Sequence, residues 1–137
     1  VDIAECEDSD WARNFGKNFG IAYQLRNDYL DYFGDDNQTG KNIAEDLSEG
    51  KSTLPLIHSY INSSGKDKMT IKNIFDKKIV SDTDKLREIF YRNESDKYTL
   101  EEIDKYSQNA IKALDSLDVD NSKNLIDLTR YCSTRTR

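Results

Sequence analysis

Residues 15–55 read FGKNFGIAYQLRNDYLDYFGDDNQTGKNIAEDLSEGKSTLP, and two interleaved periodicities in this stretch decide the fold. Gln24, Asn27, Asp28 and Asp31 recur at intervals of three and four, so on a helix of 3.6 residues per turn they form one polar stripe. Phe15, Phe19, Ala22, Tyr23 and Leu30 form an apolar stripe along the same helix. Carboxylates that share a helix face repel one another, and nothing in helix formation calls for that arrangement. A cation would relieve it.

Working outward, Ser9 and Asp10 are good cap residues directly before Trp11, so the helix is predicted to start there and run to about Phe33. Gly16 and Gly20 lie inside it, and their cost to the helix points to close approach of another helix backbone or of a ligand, packing being the commoner reason. Gly34 to Lys41 has loop composition, a short acidic turn follows around Ile43 to Glu49, and then Gly50. A second helix is predicted from about Ser52, taking the single proline, Pro55, in its first turn, with Leu54, Leu56, Ile57, Tyr60 and Ile61 as its apolar face. It should end at Asn62 to Gly65.

Farther on, Lys68 to Lys78 carries Met69, Ile71, Ile74 and Phe75 at helical spacing, and Asp82 to Tyr91 carries Leu86, Ile89 and Phe90. Thr99 with Glu102 reads as a capping box opening a longer helix through Leu117, and a last helix is predicted over Ser122 to Cys132 with Leu125, Ile126 and Leu128 inward. With no strand pattern, linker or repeat, residues 1–137 are expected to form one all-α unit.

Composition agrees with this and excludes several functions. The 137 residues are 36% hydrophobic, enough for a helical core, and the 34% charged residues are mixed in sign rather than segregated. A formal charge of -6 argues against nucleic acid as a partner, so any phosphate chemistry has to use local cations or a bound metal. Cys6 and Cys132 match no metal or redox spacing and read as reduced thiols of a cytoplasmic protein, a disulfide being the lesser alternative. No apolar run approaches the ~20 residues that span a bilayer. The chain opens at Val1, and the stretch through Glu7 reads as the end of a helix begun earlier, which leads us to expect a piece of a longer or processed chain.

Three groups lie close in sequence: Asp28 and Asp31 on the stripe, Lys41 in the loop, and Asp46 with Lys51 around the turn. Carboxylates facing a lysine-bearing loop suit a Mg2+ ion that bridges to a diphosphate, because Mg2+ takes one or two protein carboxylates and completes its shell with phosphate oxygen and water. The bland alternative is a set of solvated surface pairs.

Residues 15–55 resemble the second aspartate-rich region of the trans-type isoprenyl diphosphate synthases. That pattern runs FG, a further G, an aromatic residue before Gln, DDxxD, GD, GK, DL and GKxTLP, and all but one of its elements occur here in order. The resemblance is strong over about this third of the chain and weak elsewhere. It implies an all-α isoprenoid synthase bundle, of which this chain is the C-terminal half, normally dimeric, with a first aspartate-rich motif facing the second across Mg2+. It further implies that Asp28 and Asp31, with Asn27, hold metal, and that Lys41 and Lys51 meet the allylic diphosphate. Tyr23 and Gln24 would line the same cavity. The implied reaction condenses isopentenyl diphosphate with an allylic diphosphate, with Asp28, Asp31 and Lys41 as its catalytic residues.

Two departures from the pattern carry consequences. Asn27 stands where the family has the first Asp of the motif, offering a carbonyl oxygen without charge, so the metal should be held less tightly. No first aspartate-rich motif and no basic isopentenyl diphosphate segment occurs in these residues, so the fragment alone should not catalyse condensation. His58 reads as a packing or surface histidine, and Arg130, Arg135 and Arg137 as helix-end or solvated charge. Two other functions are compatible with parts of the sequence. Asp35, Asn37, Thr39, Gly40 and Asp46 fall on ligand and turn positions of an EF-hand calcium loop, although the last position is Asp rather than Glu. Asn27 also leaves room for a non-catalytic regulatory subunit of a prenyl synthase.

Overall fold

The apolar and polar stripes do share one helix: α1 runs from Ser9 to Phe33 without interruption. In a computed structural model the described residues are 9–34, 51–77 and 83–136, all helical or connecting, with no strand among them. The predicted loop beyond Gly34, the acidic turn, Gly50 and Cys6 lie outside the described residues. Gly34 closes α1 by donating its N–H to the Leu30 carbonyl at 2.8 Å. A Cβ on Gly34 would stand 2.5 Å from that same carbonyl oxygen, so any other residue there would force the backbone to shift.

Five more helices follow: α2, Leu54–Asn62; α3, Gly65–Lys77; α4, Thr83–Arg92; α5, Ser95–Lys112; and α6, Val119–Thr134. Pro55 does sit in the first turn of α2, where its missing N–H interrupts nothing. Helix α5 begins four residues before the predicted capping box. Asn93 and Glu94 break the chain after α4, Glu94 with φ 54°, and the Asn93 side chain donates back to the Ile89 carbonyl at 2.9 Å. Thr99 is then inside α5, its hydroxyl donating to the Ser95 carbonyl at 2.7 Å instead of capping. Helix α6 also starts earlier than predicted, because Asp118 caps it by accepting from the Asn121 N–H at 2.8 Å.

The chain divides into two compact units, one formed by the described residues up to Arg26 with 101–135, the other by 27–100 with the end of the chain. In the second unit α2 packs against α3 and α4, and Tyr32, Leu56, Ile71, Ile74, Leu86, Ile89 and Phe90 make the core. Phe90 meets the Tyr32 ring edge-on at 5.0 Å, and Arg92 reaches both carboxylate oxygens of Asp67, tying α4 to α3. In the first unit the buried residues are mostly small: Ala22, Ser107, Ala110, Ser122, Thr129 and Cys132, with Ile103 and Leu114. Cys132 is a free thiol.

Several residues expected to face inward do not. Helix α2 turns Leu56 and Ser59 into the core, which leaves Ile57 and Ile61 exposed; Met69 of α3 and Leu128 of α6 are exposed as well. A run of apolar residues wider than one helix face has to leave some of them outside. Among the described residues, nothing beyond the helix's own adjoining backbone lies within 4 Å of a Cβ built on Gly16 or Gly20.

His58 is held by its neighbours, with Nδ1 2.8 Å from the Ser95 hydroxyl and its ring stacked on Tyr98 at 4.2 Å. The Ser95 hydroxyl in turn lies 2.6 Å from that of Ser59. Burial holds the His58 imidazole below its ordinary pKa. A depressed folded-state pKa means that the unfolded chain takes up protons first, so this contribution to stability is complete above about pH 6.5 and is lost as pH falls below it. Urea titrations at several pH values should therefore show the stability gap between the native chain and His58→Gln shrinking below that pH.

The glycines give a second expectation of opposite signs. Gly20→Ala should stabilise the chain by up to about 1 kcal/mol, since it lies in an exposed helix interior, and Gly65→Ala, at φ 56°, should destabilise it by a similar amount. Urea midpoints of the two variants check this.

Candidate functional site

The end of α1 is fixed by Tyr32, and the candidate ligands are fixed with it. The Tyr32 side chain is fully buried, its hydroxyl accepts a hydrogen bond from Thr53 Oγ1 at 2.9 Å, and its carbonyl accepts one from Arg87 Nε at 2.7 Å. These contacts set the rotation of the last turn of α1. Asp31 in that turn is half-buried, as are Asn27 and Asp28 one turn earlier, whereas Gln24 is exposed.

Lys51 is exposed on the short segment that leads through Thr53 into α2. The Thr53–Tyr32 hydrogen bond joins that segment to the end of α1, in the same unit as Asp28 and Asp31. Lys41 and Asp46 lie outside the described residues. No group of three or more histidines, cysteines or carboxylates converges among the described residues. What α1 offers is two carboxylates and one amide oxygen. That set fits an ion such as Mg2+, which completes its shell with phosphate and water, and does not fit a metal that needs an all-protein cage.

Tyr23 is exposed on α1. It continues the stack of Phe15 and Phe19, whose rings are 5.5 Å apart, and the Arg135 guanidinium lies 4.9 Å from the Tyr23 ring centre. Arg135 is half-buried there rather than solvated. Arg26 is buried beside it and donates from Nε and Nη2 to the Arg135 carbonyl at 2.8 and 2.6 Å, with Nη2 also 3.3 Å from the Thr134 carbonyl. One side chain thus caps the C-terminal end of α6. Sequence reading passed over Arg26, although a signal existed: it falls between Ala22 and Leu30 at four-residue steps, inside the apolar stripe. A cation in that position needs buried acceptors, and the sequence does not say where they come from.

A family model described as polyprenyl synthetase matches residues 2–92. An octaprenyl diphosphate synthase of Escherichia coli (strain K12) is 46% identical over 59 residues, 42% of this chain and 18% of the relative. An all-trans-nonaprenyl-diphosphate synthase (geranyl-diphosphate specific) of Rhodobacter capsulatus is 32% identical over 124 residues, 90% of this chain and 38% of the relative. Among solved structures, a polyprenyl synthase from Caulobacter crescentus CB15, complexed with calcium and isoprenyl diphosphate, superposes with a TM-score of 0.83 at 28% identity, covering 100% of this chain and 42% of that one. The chain therefore spans less than half the length of each of these proteins. None of the matches supports the EF-hand or the regulatory-subunit reading.

Arg26→Met keeps most of the buried stem and removes the donors. It should destabilise the chain by about 2 kcal/mol, the range for hydrogen bonds from a charged donor. Amide hydrogen exchange should localise the loss to the last turn of α6.

Proposed function

The chain belongs to the polyprenyl synthetase family, and from that premise we propose that the intact protein is a prenyltransferase joining isopentenyl diphosphate to an allylic diphosphate. In this reaction the allylic C–O bond breaks with its electron pair leaving on the diphosphate. The double bond of isopentenyl diphosphate attacks the carbocation, and loss of a proton restores an alkene. The observation that carries the reading is the stripe of Asn27, Asp28 and Asp31 at the core-anchored end of α1.

On this reading Asp28 and Asp31, with the Asn27 amide oxygen, would hold Mg2+, which when bound would supply positive charge to the departing diphosphate. Lys51 and Lys41 add fixed positive charge at the same group, with Asp28, Asp31 and Lys41 serving the chemical step. Gln24 and Tyr23 line the substrate side of the helix. The same proposal makes residues 1–137 the C-terminal half of one helical domain, which needs an N-terminal half bearing the first aspartate-rich motif and pairs as a homodimer. No described helix is long and apolar enough to cross a membrane. A cytoplasmic location is part of the reading.

Steady-state assays of the intact enzyme with isopentenyl diphosphate and an allylic diphosphate test this. Asp28→Asn and Asp31→Asn should each lower kcat/KM by about 100-fold or more, as expected for loss of a group that stabilises developing charge. Asn27→Asp should lower the Mg2+ concentration that gives half-maximal activity. An unchanged metal dependence would remove Asn27 from the ligand set, and full activity of both aspartate variants would sink the proposal.

A further inference from the structure

We propose that Tyr32 and Thr53 are a positioning pair, whose hydrogen bond sets where Lys51 stands relative to Asp28 and Asp31; the inference rests on the diphosphate reading of Lys51 above. Thr53 occupies the N-cap of α2 with extended backbone, φ -87° and ψ 159°, yet its side chain makes no cap hydrogen bond. A threonine here ordinarily uses its oxygen to accept from an N–H of the first turn. Thr53 instead directs its hydroxyl to Tyr32 Oη, 2.9 Å away, and both residues are buried. Its local role has been exchanged for a contact between segments.

Tyr32 is a firm anchor for that contact. Its ring lies edge-on to Phe90 at 5.0 Å and its carbonyl is held by Arg87 at 2.7 Å, so the phenol has little freedom. The two ends of the bond lie next to the chemistry. Tyr32 follows Asp31 directly and is one helical turn beyond Asp28. Lys51 precedes Thr53 by two residues, so its Cα stands at most about 7 Å from that of Thr53. A diphosphate that bridges metal on the aspartates and an ammonium on Lys51 needs the two charges at a fixed separation, and loss of geometry by about 1 Å is costly to such sites. The Tyr32–Thr53 hydrogen bond supplies a direct tie between the two segments.

The test uses the full-length protein, with inorganic diphosphate and Mg2+ as the probe in calorimetry and the allylic KM as a second readout. Thr53→Val removes the hydroxyl at constant shape, Tyr32→Phe removes its acceptor and keeps the ring, and Thr53→Ser retains the hydroxyl. Thr53→Val and Tyr32→Phe should each weaken diphosphate binding roughly fivefold, the effect of one neutral hydrogen bond. Thr53→Ser should keep native affinity. On a Lys51→Ala background neither substitution should weaken binding further, whereas any loss of thermal stability should persist. Equal weakening with and without Lys51, or unchanged binding in both variants while Lys51→Ala itself weakens it, would overturn the positioning role alone. Native affinity in Lys51→Ala would overturn the reading of Lys51 and this inference with it. Tyr32→Phe carries the test if Thr53→Val does not fold.

Discussion

A phenol hydroxyl cannot be buried without a partner, and the burial of Tyr32 is the constraint on which the second unit depends. Its ring fills the space beside Phe90, and its hydroxyl accepts a hydrogen bond from Thr53, which ties the segment bearing Thr53 to the end of α1. Once Thr53 is there, α2 starts from a fixed point, and Leu56 and Ser59 follow into the core. The Arg87 side chain then satisfies the Tyr32 carbonyl from α4. Three segments distant in sequence are joined through one residue, and that residue adjoins Asp31.

The first unit solves a related problem with a charge instead of a ring. The last carbonyls of α6 have no partners within their own helix, and Arg26 meets them from α1 with a buried guanidinium. Burying a charge is unfavourable unless its hydrogen bonds are made, and here helix-end carbonyls make them while the helix dipole adds favourable potential. The small side chains buried in the same unit, Ala22, Ala110 and Ser107 among them, leave room for close packing.

Much of this was legible in the sequence because it depends on local periodicity. The helical stretch ending at Phe33, the proline in the first turn of α2, and the inward faces of α3 and α4 at Ile71, Ile74, Leu86, Ile89 and Phe90 all follow from spacing within a few turns. What was not legible depends on a partner elsewhere in the chain. Thr99 and Glu102 have the form of a capping box, but the helix had already started at Ser95, after a break made by a glutamate at positive φ. Ile57 and Ile61 are as apolar as Leu56, and only the packing of α2 decides which of them is covered. At the candidate site, the stripe of acids could be read from spacing, whereas the roles of Tyr32 and Arg26 could not. Both act through atoms more than twenty residues away.

The neutral residue in the stripe has a physical consequence on the proposed reading. Three carboxylates at positions 27, 28 and 31 would repel strongly without metal, and an amide at the first position lowers that repulsion while keeping one oxygen for coordination. Asp28 and Asp31 are half-buried, so their mutual repulsion is screened less than it would be in open water. A cation gains by relieving it, but two carboxylates and an amide leave most of the shell of a hard divalent ion to other oxygens. Those oxygens are the ones a diphosphate brings. The arrangement therefore favours metal and diphosphate arriving together over metal binding alone, and Asn27 shifts the balance further in that direction.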